Sequence, residues 1–228
     1  MARLRQKLLL VEGKEDQYAI AELMAKHVPW GKTEREWPVY IQPLGGVTQL
    51  LNEVIIGTYL KSSEAAICGI VLDANESFHV RWQQLRRCCE REFPSIPDDL
   101  PKEGLVLDNS SGRRLGVWIM PDNSSRGMLE TFLTYLVRDQ SDQLWLHACA
   151  SADGATGKGA PYKRAHVDKA RMHTWLAWQD PPGLPLGLAI LQNVLSAEAT
   201  GAGPFVRWFR SLFKLSPSAS APPDLASD

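Results

Sequence analysis

The sequence predicts an α/β fold: a mostly parallel sheet flanked by helices, with a helical extension toward the C-terminus. Three observations carry that reading. Continuous apolar runs at 8–11, 65–72 and 115–120 have the length of strands buried on both faces. Each is followed by a stretch whose apolar residues recur at helical spacing, the alternation expected of a parallel sheet. Each run is also followed, with at most one residue between, by an acid, Glu12, Asp73 or Asp122. In a parallel sheet these three carboxylates emerge along one edge, where open α/β sheets bind ligands.

Taken in order, Leu8, Leu9, Leu10 and Val11 form the first strand. Gly13 lets the chain turn sharply. From Asp16 onward Tyr18, Ile20, Leu23 and Met24 mark a helix, placing Asp16 near its N-terminus. A loop at Trp30, Gly31 and Lys32 precedes a second strand at Val39, Tyr40 and Ile41, which Pro43, Gly45 and Gly46 end. Leu50, Leu51, Val54, Ile55 and Leu60 predict one amphipathic helix. The third strand, 65–72, ends at Asp73, with Ala74, Asn75 and Glu76 behind it. The next helix carries Val80, Trp82, Leu85 and Cys88 or Cys89, with Arg81, Arg86, Arg87 and Arg91 on its other side. Pro94, Pro97 and Pro101 close that unit.

Leu105, Val106 and Leu107 read as a short edge strand, and 115–120 as the fourth strong one, ending at Pro121, Asp122 and Asn123. A helix with Met128, Leu129, Phe132, Leu133 and Leu136 follows. Beyond Arg138 the pattern is helical apart from a polar loop at 151–161. One helix is expected over 163–179, with Val167, Ala170, Thr174 and Ala177 on one face, and others over 186–195 and 204–213. The expected organisation is an α/β core over 1–137, a helical part packed on it over 138–215, and a disordered Ser-, Ala- and Pro-rich tail over 216–228. There is no internal repeat.

At 228 residues, 44% hydrophobic and 22% charged, the chain has ordinary globular composition. A formal net charge of -1 gives no global positive field, so any nucleic acid must be held by a local patch. Cys68, Cys88, Cys89 and Cys149 form no C-x-x-C pair and no disulfide framework. Arg3, Arg5 and Lys7 before an apolar run mimic a signal peptide, but Glu12 interrupts that run too early. No stretch is long enough to span a bilayer. The expected setting is cytoplasmic, with no membrane association.

The acids give the chemistry. Hard divalent cations such as Mg²⁺ take carboxylate and phosphate oxygens. Carboxylates converging on ions about 3.5–4 Å apart can steady the attacking and leaving oxygens of phosphoryl transfer. Glu12, Asp16, Asp73 and Asp122 meet that need if their strands are neighbours; otherwise they cap helices and turns, Asp122 in a Pro-Asp-Asn turn.

The blocks Val11, Glu12, Gly13, Lys14, Glu15, Asp16 and Val71, Leu72, Asp73, Ala74, Asn75 resemble a Toprim domain. That fold is shared by topoisomerases, bacterial primases and the OLD-family nucleases. A further block, Ile119, Met120, Pro121, Asp122, Asn123, then Gly127, Leu129 and Glu130, with Trp175, Leu176, Ala177, Trp178 and Gln179, resembles an uncharacterised bacterial Toprim-like group. The resemblance covers most of the chain up to about Phe213. It implies a Mg²⁺- or Mn²⁺-dependent nuclease acting on DNA or RNA, in phage defence beside an ABC-type ATPase. Position by position, it makes Glu12 a base or ligand and Asp16 and Asp73 ligands. Asp122 or Glu130 would be the additional acid, and Lys169 a stabiliser of the transferring phosphoryl group. Asn75 stands where the family has the second acid of Asp-x-Asp. It can offer a carbonyl oxygen but no charge, so the second metal would be weaker or Glu76 would replace it.

Arg81, Arg86 and Arg87, with Lys163 and Arg164, are the candidate phosphate-binding cations; the arginine row equally suits a solvated helix face. The run Gly154, Ala155, Thr156, Gly157, Lys158, Gly159 lacks the spacing of a phosphate loop. Histidines and cysteines show no zinc-ligand spacing. The competing reading is a non-catalytic Toprim-like module that docks on a partner ATPase. A homodimer is compatible with either.

Overall fold

The computed structural model describes residues 6–62 and 66–218. Five strands, β1 (Lys7–Val11), β2 (Tyr40–Pro43), β3 (Ile67–Asp73), β4 (Leu105–Asp108) and β5 (Arg114–Met120), form one sheet in the order β2-β1-β3-β5-β4. β2, β1, β3 and β5 run parallel, and β4 pairs antiparallel to β5 at one edge. The fold is α/β and Rossmann-like. Both faces of the sheet are covered, which is why its central strands read as unbroken apolar runs instead of alternating ones.

The pleat sorts each strand between two layers. Leu8, Leu10, Cys68, Ile70, Leu72, Leu115, Val117 and Ile119 face α2 (Val47–Leu50), α3 (Glu53–Lys61) and α4 (Phe78–Cys89). Leu9, Val11, Ile67, Val71, Trp118 and Met120 face the other layer. That layer comprises α1 (Lys14–Ala25), α5 (Leu129–Thr134), α6 (Gln143–Thr156), α7 (Val167–Leu176), α8 (Leu186–Leu191) and α9 (Gly203–Phe213), which share one apolar cluster with the sheet. Among the described residues no helix is long and apolar enough to cross a membrane.

α9 lies across the sheet where two strands carry no side chain. Gly69 of β3 and Gly116 of β5 are register partners. A Cβ on Gly116 would stand 2.3 Å from Leu212 Cδ2, and one on Gly69 would stand 2.9 Å from the same atom. Leu212 and Phe213 therefore sit directly on the backbone. Glycine inside a strand is unfavourable except where something approaches this closely.

Several local expectations are corrected. The single helix expected around Leu50 to Leu60 breaks into α2 and α3, because the Asn52 side chain accepts from Val54 and Ile55 N–H and starts a new helix. Val54 and Val80, placed inward by periodicity, are exposed, as is Tyr18, whose hydroxyl donates to Glu34. The polar loop expected at 151–161 is helical as far as Thr156, since Ala-rich sequence sustains α6. The helix expected over 163–179 is a 3-10 turn (Arg164–His166) and then α7. Its buried face is Met172, Trp175 and Leu176, not Val167, Ala170, Thr174 and Ala177, because the larger side chains take the core side. The helix expected over 186–195 stops at Leu191. Residue 65, expected in the third strand, and 219–228 of the expected tail lie outside the described residues.

Candidate metal and phosphate site

β1, β3 and β5 run in one direction, so the chain after each emerges on the same rim. Glu12 follows β1 directly, and its Oε1 accepts the Asp73 N–H at 3.0 Å. The two strand ends are thus joined by a side chain. Asp16 sits in the first turn of α1, where its Oδ2 accepts the Gly13 N–H at 2.9 Å and caps the helix. Asp73 Oδ1 accepts the Leu129 N–H at 2.9 Å, at the start of α5. The next residue, Glu130, is only 3% exposed.

A backbone bridge sets this arrangement. Asn75 N–H donates to the Gly127 carbonyl at 2.7 Å, and Gly127 N–H returns to the Asn75 carbonyl at 2.9 Å. Asn75 adopts φ 52°, a left-handed conformation that Asn tolerates better than most residues. The bridge draws the segment after β5 over the end of β3 and delivers Leu129 and Glu130 to Asp73.

The acids repel one another in a poorly solvated place. Burial pushes the Asp73 carboxyl well above its ordinary range, and the charges of Asp16, Glu12 and Glu130 push it further. Burial likewise raises Asp16 to about 7, with Glu12 and Glu130 adding to the rise. Glu12 is raised by burial, against the Asp73 N–H and the positive charge of Arg81. Glu130 behaves differently. Burial pushes it up, but His173 and Lys169 outweigh that and hold it below its usual value. Lys169 Nζ lies 2.6 Å from Glu130 Oε1 and 3.6 Å from Glu15 Oε2. His173, one helical turn along α7, places Nε2 3.8 Å from the same Glu130 oxygen.

Glu12, Asp16, Asp73, Glu130 and Lys169 are therefore brought together. Asp122 is engaged in its own loop. It accepts from Ser124 N–H (3.0 Å), Ser124 Oγ (2.8 Å), Ser125 N–H (2.7 Å) and the Tyr135 hydroxyl (3.2 Å), and the Ser124 and Ser125 donors hold its carboxyl low against the effect of burial. Arg81 joins the site, donating from Nε to the Asp73 carbonyl at 3.0 Å. Arg86 pairs instead with Asp98 at 2.9 Å, while Arg87, Lys163 and Arg164 are exposed away from the carboxylates' hydrogen bonds. Sequence reading missed Glu15 and His173. The signal available was the i, i+4 spacing of Lys169 and His173, which puts an ammonium and an imidazole on one helix face.

Glu12, Asp16 and Asp73 bring carboxylate oxygens, the ligand type of hard divalent cations, from three elements to one rim, where Asp16 and Asp73 feel the charges of their neighbours. The family model described as Protein of unknown function (DUF3226) matches residues 6–214, from just before β1 to just after α9. The chain belongs to that family. No curated protein and no solved structure matches this DUF3226 chain.

Proposed function

We propose that this chain is a divalent-cation-dependent phosphoryl-transfer protein, a Toprim-type nuclease cleaving phosphodiesters of DNA or RNA with Mg²⁺ or Mn²⁺. The observation that carries the reading is the gathering of Glu12, Asp16 and Asp73 at one rim, where burial raises all three carboxyls and neighbouring negative charges push Asp16 and Asp73 further. Such an arrangement is costly without a cation, and perturbed groups of this kind mark functional sites. Glu12, Asp16 and Asp73 would hold the ion. When bound, it would polarise a phosphate oxygen and lower the pKa of an attacking water. Lys169 supplies a positive charge at the edge of the acidic group, suited to a phosphoryl oxygen. Arg81 fixes the Asp73 main chain and offsets the charge of Glu12.

A cytoplasmic setting goes with this reading, since all four cysteines are free thiols. An ABC-type ATPase and a role in phage defence, both implied by the resemblance, complete the proposal.

The test is a melt and a cleavage assay on the full chain with Mg²⁺ or Mn²⁺, beside Glu12→Gln and Asp73→Asn. Cation-dependent stabilisation and cleavage, both lost in the variants, are expected. Equal cleavage by all three proteins defeats the proposal. A second reading, a non-catalytic module docking on an ATPase, is favoured by Asn75 in place of an acid and by Trp178. That side chain is 41% exposed and stacks on His147 at 5.3 Å. Tight association with the ATPase, without any cation-dependent melting shift, is its signature.

A further inference from the structure

Beside the three raised acids lies a second group of different chemistry. Glu15 of α1, Glu130 of α5 and His173 of α7 each bring one ligand atom to a common point, with those atoms all within 4.8 Å of one another. An imidazole with two carboxylates is a borderline donor set, suited to Mn²⁺ or Zn²⁺ more than to Mg²⁺. Bonds of about 2.0 Å place tetrahedral ligands about 3.3 Å apart, so closure needs only modest side-chain movement. Glu15 is exposed and His173 is 41% exposed on its side chain, which leaves them free to move. Glu130 is the fixed anchor, buried and held on the first turn of α5.

A positive charge already occupies this point. Lys169 Nζ lies between Glu130 and Glu15, at 2.6 Å and 3.6 Å. Lys169 and His173 are four residues apart on α7, so the ammonium and the imidazole reach the same Glu130 oxygen from one helix face. We propose that Glu15, Glu130 and His173 form a Mn²⁺ or Zn²⁺ site for which Lys169 competes at the same Glu130 oxygen. Metal entry displaces the ammonium and frees it to face a substrate phosphate. Two states of one lysine result, one paired to Glu130 and one released.

This site adjoins the one proposed above but shares none of Glu12, Asp16 or Asp73, so the two can fail separately. The experiment is calorimetric titration of the full chain with Zn²⁺, Mn²⁺ and Mg²⁺ at neutral pH. It is run on the wild type, His173→Ala, Glu15→Gln, Lys169→Met and Asp73→Asn. His173→Ala is expected to weaken Zn²⁺ and Mn²⁺ by at least the roughly 10–100-fold that losing even an outer-sphere partner costs a metal site. Glu15→Gln is expected to weaken them in the same direction. Asp73→Asn should leave Zn²⁺ affinity intact while removing Mg²⁺ binding; if Mg²⁺ never binds the wild type, only the earlier proposal falls. Lys169→Met removes the internal competitor and is expected to tighten Zn²⁺. Should it unfold the chain, His173→Ala still decides the matter. Wild-type Zn²⁺ affinity in His173→Ala, or no Zn²⁺ and Mn²⁺ binding by the wild type, overturns the inference.

Discussion

The seat of α9 on the sheet gives the sharpest test of the packing. In Gly116→Ala the added methyl would stand 2.3 Å, 2.7 Å and 2.9 Å from Leu212 Cδ2, Cδ1 and Cγ. Ordinary carbon contacts are about 3.5–4.0 Å, so the whole side chain must retreat. Leu212 is fully buried and rests on Gly69 as well, so there is little room for it to retreat into. Overpacking of this kind costs about 1–3 kcal/mol. Lower entropy of the unfolded chain returns about 0.4–1 kcal/mol of that, because alanine is the stiffer residue. The net loss is about 1–2 kcal/mol, or a melting temperature roughly 2–8 °C lower for a chain of this size. Urea melts of the wild type, Gly116→Ala, Leu212→Ala and the double variant form the assay. Leu212→Ala alone should cost about 2–5 kcal/mol. The double variant should cost less than the sum by about 1–2 kcal/mol, because the truncated residue makes space for the methyl. Gly154→Ala is the control. It is exposed in α6 with nothing within 4 Å of its would-be Cβ, and should gain about 0.5–1 kcal/mol. Additive effects, or a Gly116→Ala protein as stable as the wild type, would refute the packing described.

Two further predictions concern the acids. Asp16 is raised from 3.8 to about 7, so between those values the folded chain keeps a proton that the unfolded chain has released. Its contribution to stability is full below the lower value and is lost as pH rises through the higher one; Asp73 acts in the same sense. Glu130, held low, acts in the opposite sense and only below the ordinary glutamate value of 4.5. With chelator present the chain should therefore melt higher at about pH 5.5 than at about pH 8, and Asp16→Asn should flatten that difference. A wild type equally stable at both, or a slope unchanged in the variant, contradicts the reading. The second prediction is that Asn75→Asp keeps the left-handed turn, since aspartate also tolerates it, and places an acid where the proposed Toprim-type site would use one. Mg²⁺ should bind it roughly tenfold tighter, about 1.4 kcal/mol, by titration. Unchanged affinity would show that position 75 serves the Gly127 bridge alone.

Much of this was legible because strand burial and apolar runs are the same fact seen twice. Leu8 through Val11 and Ile67 through Leu72 read as doubly covered strands, and their common direction puts Glu12 and Asp73 on one rim. Where reading failed, the deciding interaction was local chemistry or distant contact. Asn52 split a helix by capping, which hydrophobic periodicity does not register. Gly69 and Gly116 passed without comment inside their apolar runs, since what makes them necessary, Leu212, lies far along the chain. Glu15 and His173 meet only because α1 and α7 pack over the same rim, and no spacing between them announces it.

The position of Leu212 and Phe213 has a consequence for how the molecule is made. Every strand leaves the ribosome well before the segment that lids the middle of the sheet. Until α9 arrives, Trp118 lacks the Phe205 and Trp208 rings that pack on it and the bare glycine strip lacks Leu212. A nascent chain halted short of residue 212 would expose a flat, greasy surface to chaperones and to other chains, and its ribosome-bound intermediate should be the species most prone to aggregate.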